Sequence, residues 1–506
     1  MALSNISKGA VISYIAIFIN IAISFLYTPW MLRQIGTSDY GLYNLIISFM
    51  SYFTIDFGIS ITVTRFIAKY RAEGDDKKVE NIIGLSLKIF FVIDVVIFLC
   101  LFVCYFFIAD IFKGLTLEEI SKLKVLYIIS GTFSILSFGL KPLDGVLVAY
   151  EYFVPAKVMD MVYKVGSVLF VVVALLLGGN IYILVLINGA LAFLTQLYKF
   201  IYWHRKTNLS PNINYVDSQI KKMIFSFSAW VFIGVLAHQF RLTLISTILG
   251  ICSNSEQIAI FSLGVVLQAM IWTLSNALNG LFFPKVTLLS QTNNSDEIMK
   301  LMVRVGRIQL YLVFAIFSGF LIFGRTFINL WVGDSFSDVY YIVLCLTFAN
   351  LIGNTLQIAV DMAYAENKIK YITRVGFTTS VIGVIFSMLL AKDYGAIGCA
   401  ICSGFALLLT QLGYLHMFNK RLCLDIKQFL LKCHLNILPK LVVFSALFCL
   451  IYINFSGSNW FKLMLWILLY IIVYVIFIYK RLFNEYERML VRSMTKMLST
   501  CKKNNK

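Results

Sequence analysis

Residues 82–108 read IIGLSLKIFFVIDVVIFLCLFVCYFFI, an apolar run interrupted only by the charged Lys88 and Asp94. Coiled as a helix at about 1.5 Å per residue, such a run is about 40 Å long and spans the roughly 30 Å hydrocarbon core of a bilayer. Lipid gives the backbone no hydrogen-bond partner, so a crossing segment is either a helix or one strand of a closed barrel. The short alternating segments of a barrel are not present, and the run is predicted to be a transmembrane helix.

Comparable windows lie at 9–32, 42–64, 125–149, 157–178, 181–203, 222–250, 258–283, 305–330, 339–364, 372–391, 395–418, 437–455 and 461–479. The first exceeds a signal-peptide core of roughly 7–15 residues and has no small-residue cleavage site, so it is expected to stay as span one. With 60% hydrophobic and 13% charged residues in a 506-residue chain, a soluble domain is excluded. The predicted fold is an all-α integral membrane protein with about fourteen transmembrane helices.

Charge sets the orientation. With the N-terminus in the cytoplasm, roughly 31 Lys/Arg fall on the cytoplasmic side against roughly 6 outside, as the positive-inside rule requires. Both termini are therefore expected to be cytoplasmic. The net charge of +18 sits largely in the loops Arg65 to Lys78, Arg205 to Lys222 and Lys420 to Lys440. These face anionic lipid headgroups, and no nucleic-acid partner is needed to explain them. In the basic tail 480–506, Leu482, Tyr486, Met489, Leu490, Met494 and Met497 recur at helical spacing. That pattern reads as an amphipathic helix on the cytoplasmic surface, or as a partly disordered basic tail. The ten cysteines are scattered. Cys399 and Cys402 form a C-x-x-C with no second pair or histidine nearby, so neither a metal nor a cofactor is expected.

The windows also repeat. Spans one to six and seven to twelve share a rhythm, with a long cytoplasmic connection after the second helix of each set and a short one after the fourth. The fourth helix ends in Ala149-Tyr150-Glu151 in one half and Ala363-Tyr364-Ala365-Glu366 in the other. Six is an even number, so the duplicated halves keep the same orientation, which is the construction of alternating-access transporters. The expected divisions are a lobe over 1–203, a cytoplasmic linker over 204–221 and a second lobe over 222–418. Two further helices over 419–479 and the tail follow.

Five stretches carry a family resemblance. RQIGTSDYGLY at 33–43, DFGIS at 56–60 running into RFIAKYR at 65–71, Phe283-Pro284, LWVG at 330–333 and GAIG at 395–398 occur in this order. Together they resemble the polysaccharide flippases of the O-antigen and capsule type, over about residues 5–425. The resemblance implies membership of the superfamily that also holds multidrug-extruding MATE transporters and lipid II flippases, with two six-helix lobes around a central cavity. It further implies a bacterial plasma membrane location and an undecaprenyl-diphosphate-linked oligosaccharide as substrate. Membrane lipids and the polymerase and chain-length proteins of the same pathway are the implied partners.

Ionisable groups inside apolar helices are costly unless they face water or a partner, which makes them the candidate site residues. Arg241 in span seven, with His238 on the same helix face, suits a diphosphate because guanidinium donors bind phosphate oxygens bidentately. Pairing with an acidic residue of the other lobe is the alternative reading. Asp56 in span two and Asp94 in span three are candidate ion-coupling carboxylates, while Lys88 lies nearer the cytoplasmic end and can snorkel. Lys141 with Asp144, and Asp160 with Lys164, have the spacing of local helix pairs at the cytoplasmic boundary, a reading that explains them about as well as ion coupling or substrate contact does. Asn20 in span one can touch sugar or bond to a neighbouring helix, and Pro142 is expected to bend span four.

The expected function is translocation of lipid-linked repeat units from the cytoplasmic to the outer leaflet, for O-antigen, capsular or exopolysaccharide synthesis, by an integral protein that is not an enzyme. The alternatives are a membrane polymerase or glycosyltransferase of the same pathway and a drug or ion antiporter. An enzyme would be expected to show a large outer loop or a D-x-D pair, and the chain has neither; nor does it carry an ATP-binding G-x-x-x-x-G-K motif.

Overall fold

The computed structural model describes residues 21–489, apart from 208, 216, 276–281, 293–294, 367 and 456–458. Among these residues there are helices and connecting turns and no strand. Eleven helices among the described residues are long and apolar enough to cross a membrane. The decisive stretch lies in Asp76–Phe106, where Phe91, Phe98, Phe102 and Phe106 stand exposed along one side while Ile83, Phe90, Ile97 and Leu101 are buried on the other. Large apolar side chains on the outside are stable only where lipid is the solvent.

Several of the expected windows depart from simple rods. Spans eleven and twelve form one run, Ile369–Leu422, divided at Gly395, whose φ of 52° and ψ of −136° are not helical. Glycine takes this backbone geometry without a Cβ penalty, which accounts for the first residue of GAIG. Span two is not one helix over 42–64; it is two, Thr37–Phe53 and Ile59–Ala72, with a break between them. Span one is described only from residue 21, so Asn20 lies outside the described residues.

The chain divides into two compact units. The first comprises 1–273, 341–346 and 367–414, and the second 274–340, 347–366 and 415–506. Within the first, span six packs along spans four and five, and the second piece of span two packs along the end of span four. The linker after span six docks on the start of span three, where Ser210 N donates to Glu80 Oε1 at 2.8 Å and Asn212 N to the Glu80 carbonyl at 3.2 Å.

The second unit is organised on Ser295–Trp331, against which spans ten, thirteen and fourteen pack. Phe323, Phe444, Phe448, Tyr452 and Tyr470 form a connected ring cluster there. The Tyr470 and Ser318 hydroxyls are 2.6 Å apart. The described start of the tail is tied to the second unit. Tyr486 and Met489 are exposed, Leu482 and Glu487 are buried, and Glu487 makes a 2.6 Å ion pair with Arg307. Leu490, Met494 and Met497 lie outside the described residues.

Candidate functional site

The break in span two is written in DFGIS. Phe57 has φ 55° and Gly58 φ 71°, so two consecutive residues leave the right-handed region. For a bulky residue such as Phe57 this costs free energy and has to be over-determined by its surroundings. Two contacts do so. The Phe57 ring packs on Phe232 with centroids 4.6 Å apart, and Asp56 Oδ1 accepts from Gly58 N at 2.8 Å. Asp56 therefore stands in the break, not inside a continuous helix, and it closes the turn that starts the next one.

A break strands the last carbonyls of the helix before it. Here Lys141 of span four donates from Nζ to the Thr54 carbonyl. Lys141 is available because span four is broken as well. Pro142 has no N–H, and around it Lys141 N bonds back to Phe138 O at 3.0 Å and Asp144 N to Lys141 O at 3.1 Å, in the tighter three-residue pattern. The expected bend is thus a full interruption between Leu117–Phe138 and Pro142–Ala149.

The second pieces of spans two and four are joined at close range. A Cβ on Gly145 would fall 2.5 Å from the Ser60 carbonyl oxygen and 3.0 Å from Thr64 Oγ1. Thr64 Oγ1 donates to the Gly145 carbonyl at 2.9 Å. Arg71 Nη1 donates to the Ala149 carbonyl at 2.7 Å and its guanidinium lies over the Tyr150 ring at 4.4 Å. This brings RFIAKYR onto the Ala149-Tyr150-Glu151 end of span four. Gly145→Ala is expected to lower thermal stability by about 1–3 kcal/mol through overpacking. Melting of the purified protein in detergent checks it, and an unchanged melting temperature would refute the tight joint.

Between the breaks lies a cavity of about 340 Å³ lined by Ser51, Thr54, Ile55, Asp56, Ser60, Lys141, Asp144, Val235 and Gln239. Its charges come from spans two and four, and span seven closes it with Val235 and Gln239. The expected local pairs are corrected here. Asp144 and Asp160 both pair with Lys199 of span six, at 2.9 and 3.1 Å, and that lysine side chain is only 8% exposed. Gln196 Nε2 also donates to Asp144, at 3.3 Å. Lys164 makes no ion pair with Asp160 among the described residues, where Lys157 does so at 3.8 Å. Sequence reading missed Lys199 because it lies among the basic residues that end span six, where lysines ordinarily snorkel.

Asp94 reaches the span four break from the other side. A Cβ on Gly139 would be 3.6 Å from Asp94 Oδ2, and Asp94 Oδ1 is buried without a hydrogen-bond partner among the described residues. Lys88 is half-buried one turn and a half earlier on the same helix. Arg241 and His238 are not brought to the cavity. At 100° per residue, Arg241 is turned about 200° from Gln239, so it lies on the opposite side of span seven from the lining. It is half-buried and His238 exposed, and Arg241 makes no ion pair with an acidic side chain among the described residues.

The later part of span ten, which belongs to the second unit, is interrupted at the position that corresponds to the break in span four, with a tight turn Asn354–Leu356 before Gln357–Ala365. Asn350, Asn354, Gln357 and Asp361 recur there at helical spacing, and Gln357 Nε2 donates to Asp361 Oδ1 at 2.9 Å. The stripe is polar and nearly uncharged where span four carries Lys141 and Asp144.

A cation, two carboxylates and several hydroxyls around one cavity can bind an anionic group at Lys141 and exchange a proton or small cation at Asp56. Comparison with known proteins bears on which. The family model described as polysaccharide biosynthesis protein matches residues 6–289. No curated protein matches the chain. Among solved structures, the lipid II flippase MurJ in an inward closed conformation aligns with a TM-score of 0.70 at 15% identity, covering 93% of this chain and 97% of the other. An inward-facing multidrug resistance MATE family transporter of the MOP superfamily aligns with a TM-score of 0.64 at 13% identity, covering 82% and 98%.

Proposed function

Because this chain belongs to the polysaccharide biosynthesis protein family and has the fold of MOP superfamily transporters, we propose that it translocates an undecaprenyl-diphosphate-linked oligosaccharide across the bacterial plasma membrane. Movement is from the cytoplasmic to the outer leaflet, with both termini in the cytoplasm and six-helix lobes over 1–203 and 222–418 alternating in access. The observation that carries this reading is the cavity at the paired breaks. It offers a cation inside apolar spans, where an anionic diphosphate would otherwise pay the full cost of leaving water.

In this reading the diphosphate draws Lys141 from the Thr54 carbonyl, exchanging a neutral acceptor for a charged one, which makes the stronger hydrogen bond. Arg241, on the other side of span seven, and His238, on its flank, form a second phosphate contact along the route. An arginine deep in a span faces water or polar groups and not lipid tails. Asp56 and Asp94 are the carboxylates available for ion coupling. The glycan crosses in the aqueous cavity and the polyprenyl tail stays in lipid.

Deleting the gene and analysing lipid-linked intermediates tests the proposal. Complete repeat units should accumulate facing the cytoplasm. Unpolymerised units already in the outer leaflet would reject it and select a polymerase instead.

A further inference from the structure

The charges that line the cavity do not by themselves suit an anion. They set the Lys141 ammonium against the carboxylates of Asp56 and Asp144, so the lining taken alone repels a diphosphate. Lys141 nevertheless keeps its charge uncommitted. Its Nζ donates to the neutral Thr54 carbonyl, and it makes no ion pair among the described residues. Asp144, three residues on, has the spacing to pair with it along a helix, but span four is interrupted at Pro142.

Asp144 is instead taken up from behind. Span six, Ile181–Thr207, carries Gln196 and Lys199 three residues apart, on one face of the helix. Lys199 Nζ lies 2.9 Å from Asp144 Oδ1, and Gln196 Nε2 donates to Asp144 Oδ2 at 3.3 Å, so both oxygens of that carboxylate are held. Lys199 also lies 3.1 Å from Asp160 Oδ1 of span five, whose Oδ2 is 3.8 Å from Lys157 Nζ. The Lys199 side chain is buried, whereas both carboxylates that it joins are half-exposed. A buried ammonium persists only with such partners, and this one is felt in the cavity through Asp144, since Lys199 itself does not line it.

We infer that Lys199 is the residue that lets the cavity accept an anion: it holds the Asp144 carboxylate and cancels its charge, so that Lys141 is left to meet the substrate. The inference rests on the transport reading above and supplies the second cation that a diphosphate needs there. Lys199 touches no substrate; it is a positioning residue that acts through Asp144. The effect is electrostatic and need not involve contact. At the effective dielectric of a partly buried site, one elementary charge about 10 Å away changes the occupancy of an anion roughly tenfold. Asp160 has a different part. It shares Lys199 but does not line the cavity, so its own charge bears less on what enters.

Binding of undecaprenyl diphosphate to the full-length protein in lipid nanodiscs tests this. Lys199→Met should weaken it by about tenfold or more. Adding Asp144→Asn should bring the affinity back to within about threefold of the unsubstituted protein, whereas adding Asp160→Asn should leave most of the loss in place. A lysine that served only the fold would be relieved by either asparagine alike. Equal recovery in the two double variants, or undiminished binding by Lys199→Met, would therefore overturn the inference. Should the unsubstituted protein bind no undecaprenyl diphosphate, the transport reading fails, and the potential of the cavity then decides the role of Lys199. With Ser51→Cys in the lining, the rate of modification by an anionic methanethiosulfonate relative to a cationic one should fall about tenfold or more on adding Lys199→Met, and recover with Asp144→Asn. A ratio that Lys199→Met leaves unchanged would overturn the inference independently of substrate.

Discussion

Lys141→Met is expected to cut delivery of lipid-linked glycan about ten- to a hundredfold while the protein remains inserted, since a charged hydrogen bond contributes about 1.5–3 kcal/mol. The variant loses two things together: the cation of the cavity and the donor that satisfies the Thr54 carbonyl. Lys141→Arg separates them. It keeps the charge but exchanges a compact, rotatable ammonium for a planar fork, so substantial delivery should survive if charge is what the substrate needs. Outer-leaflet repeat units, measured beside total lipid-linked intermediate, give the readout. Normal delivery by Lys141→Met would remove Lys141 from the substrate route.

Arg307→Ala should destabilise the second unit by about 3–5 kcal/mol, because breaking a buried ion pair leaves its partner charged and unsolvated. Glu487 is only 3% exposed and Arg307 12%. Arg307 Nη2 further donates to Glu487 Oε2 and the Leu482 carbonyl, both at 3.0 Å, and Asn484 N donates to Glu487 Oε2 at 2.8 Å. A melting temperature lower by at least about 5 °C is expected. The double variant Arg307→Met with Glu487→Met should recover most of it, since two apolar side chains of similar volume carry no unpaired charge. A single variant that melts with the wild type would show that the tail does not hold the unit together.

The all-helical membrane fold was legible because lipid imposes long apolar runs, and 82–108 could be little else. The breaks were not legible. A hydropathy window averages over five residues such as Thr54 to Gly58, and Asp56 therefore read as a carboxylate buried within a helix. The signal was present in Phe57-Gly58 followed by a new helical start, but the same letters fit a continuous helix until tertiary contacts decide. Span four gave a clearer warning, because Pro142 cannot donate to the turn before it.

The candidate site was legible by residue type and only partly by location. Asp56, Lys141 and Asp144 meet at the cavity, and Asp94 abuts the span four break. Arg241 lies on the far side of span seven, a matter of helical phase that a single unaligned sequence leaves open. Lys199 was hidden because it sits in a row of terminal basic residues, where lysines ordinarily snorkel.

The paired breaks also set an order of events during synthesis. The Thr54 carbonyl and the Lys141 side chain that satisfies it are 87 residues apart. At about 5–20 residues per second, a ribosome needs roughly 4–17 s to cover that interval. Throughout it, span two has left the ribosome without the group that completes its backbone. The nascent chain has to be held by the insertion machinery, or by water admitted beside it, until span four arrives. The first four spans are therefore expected to enter lipid together, and a pause in translation between residues 54 and 141 would prolong the interval in which span two lacks that partner.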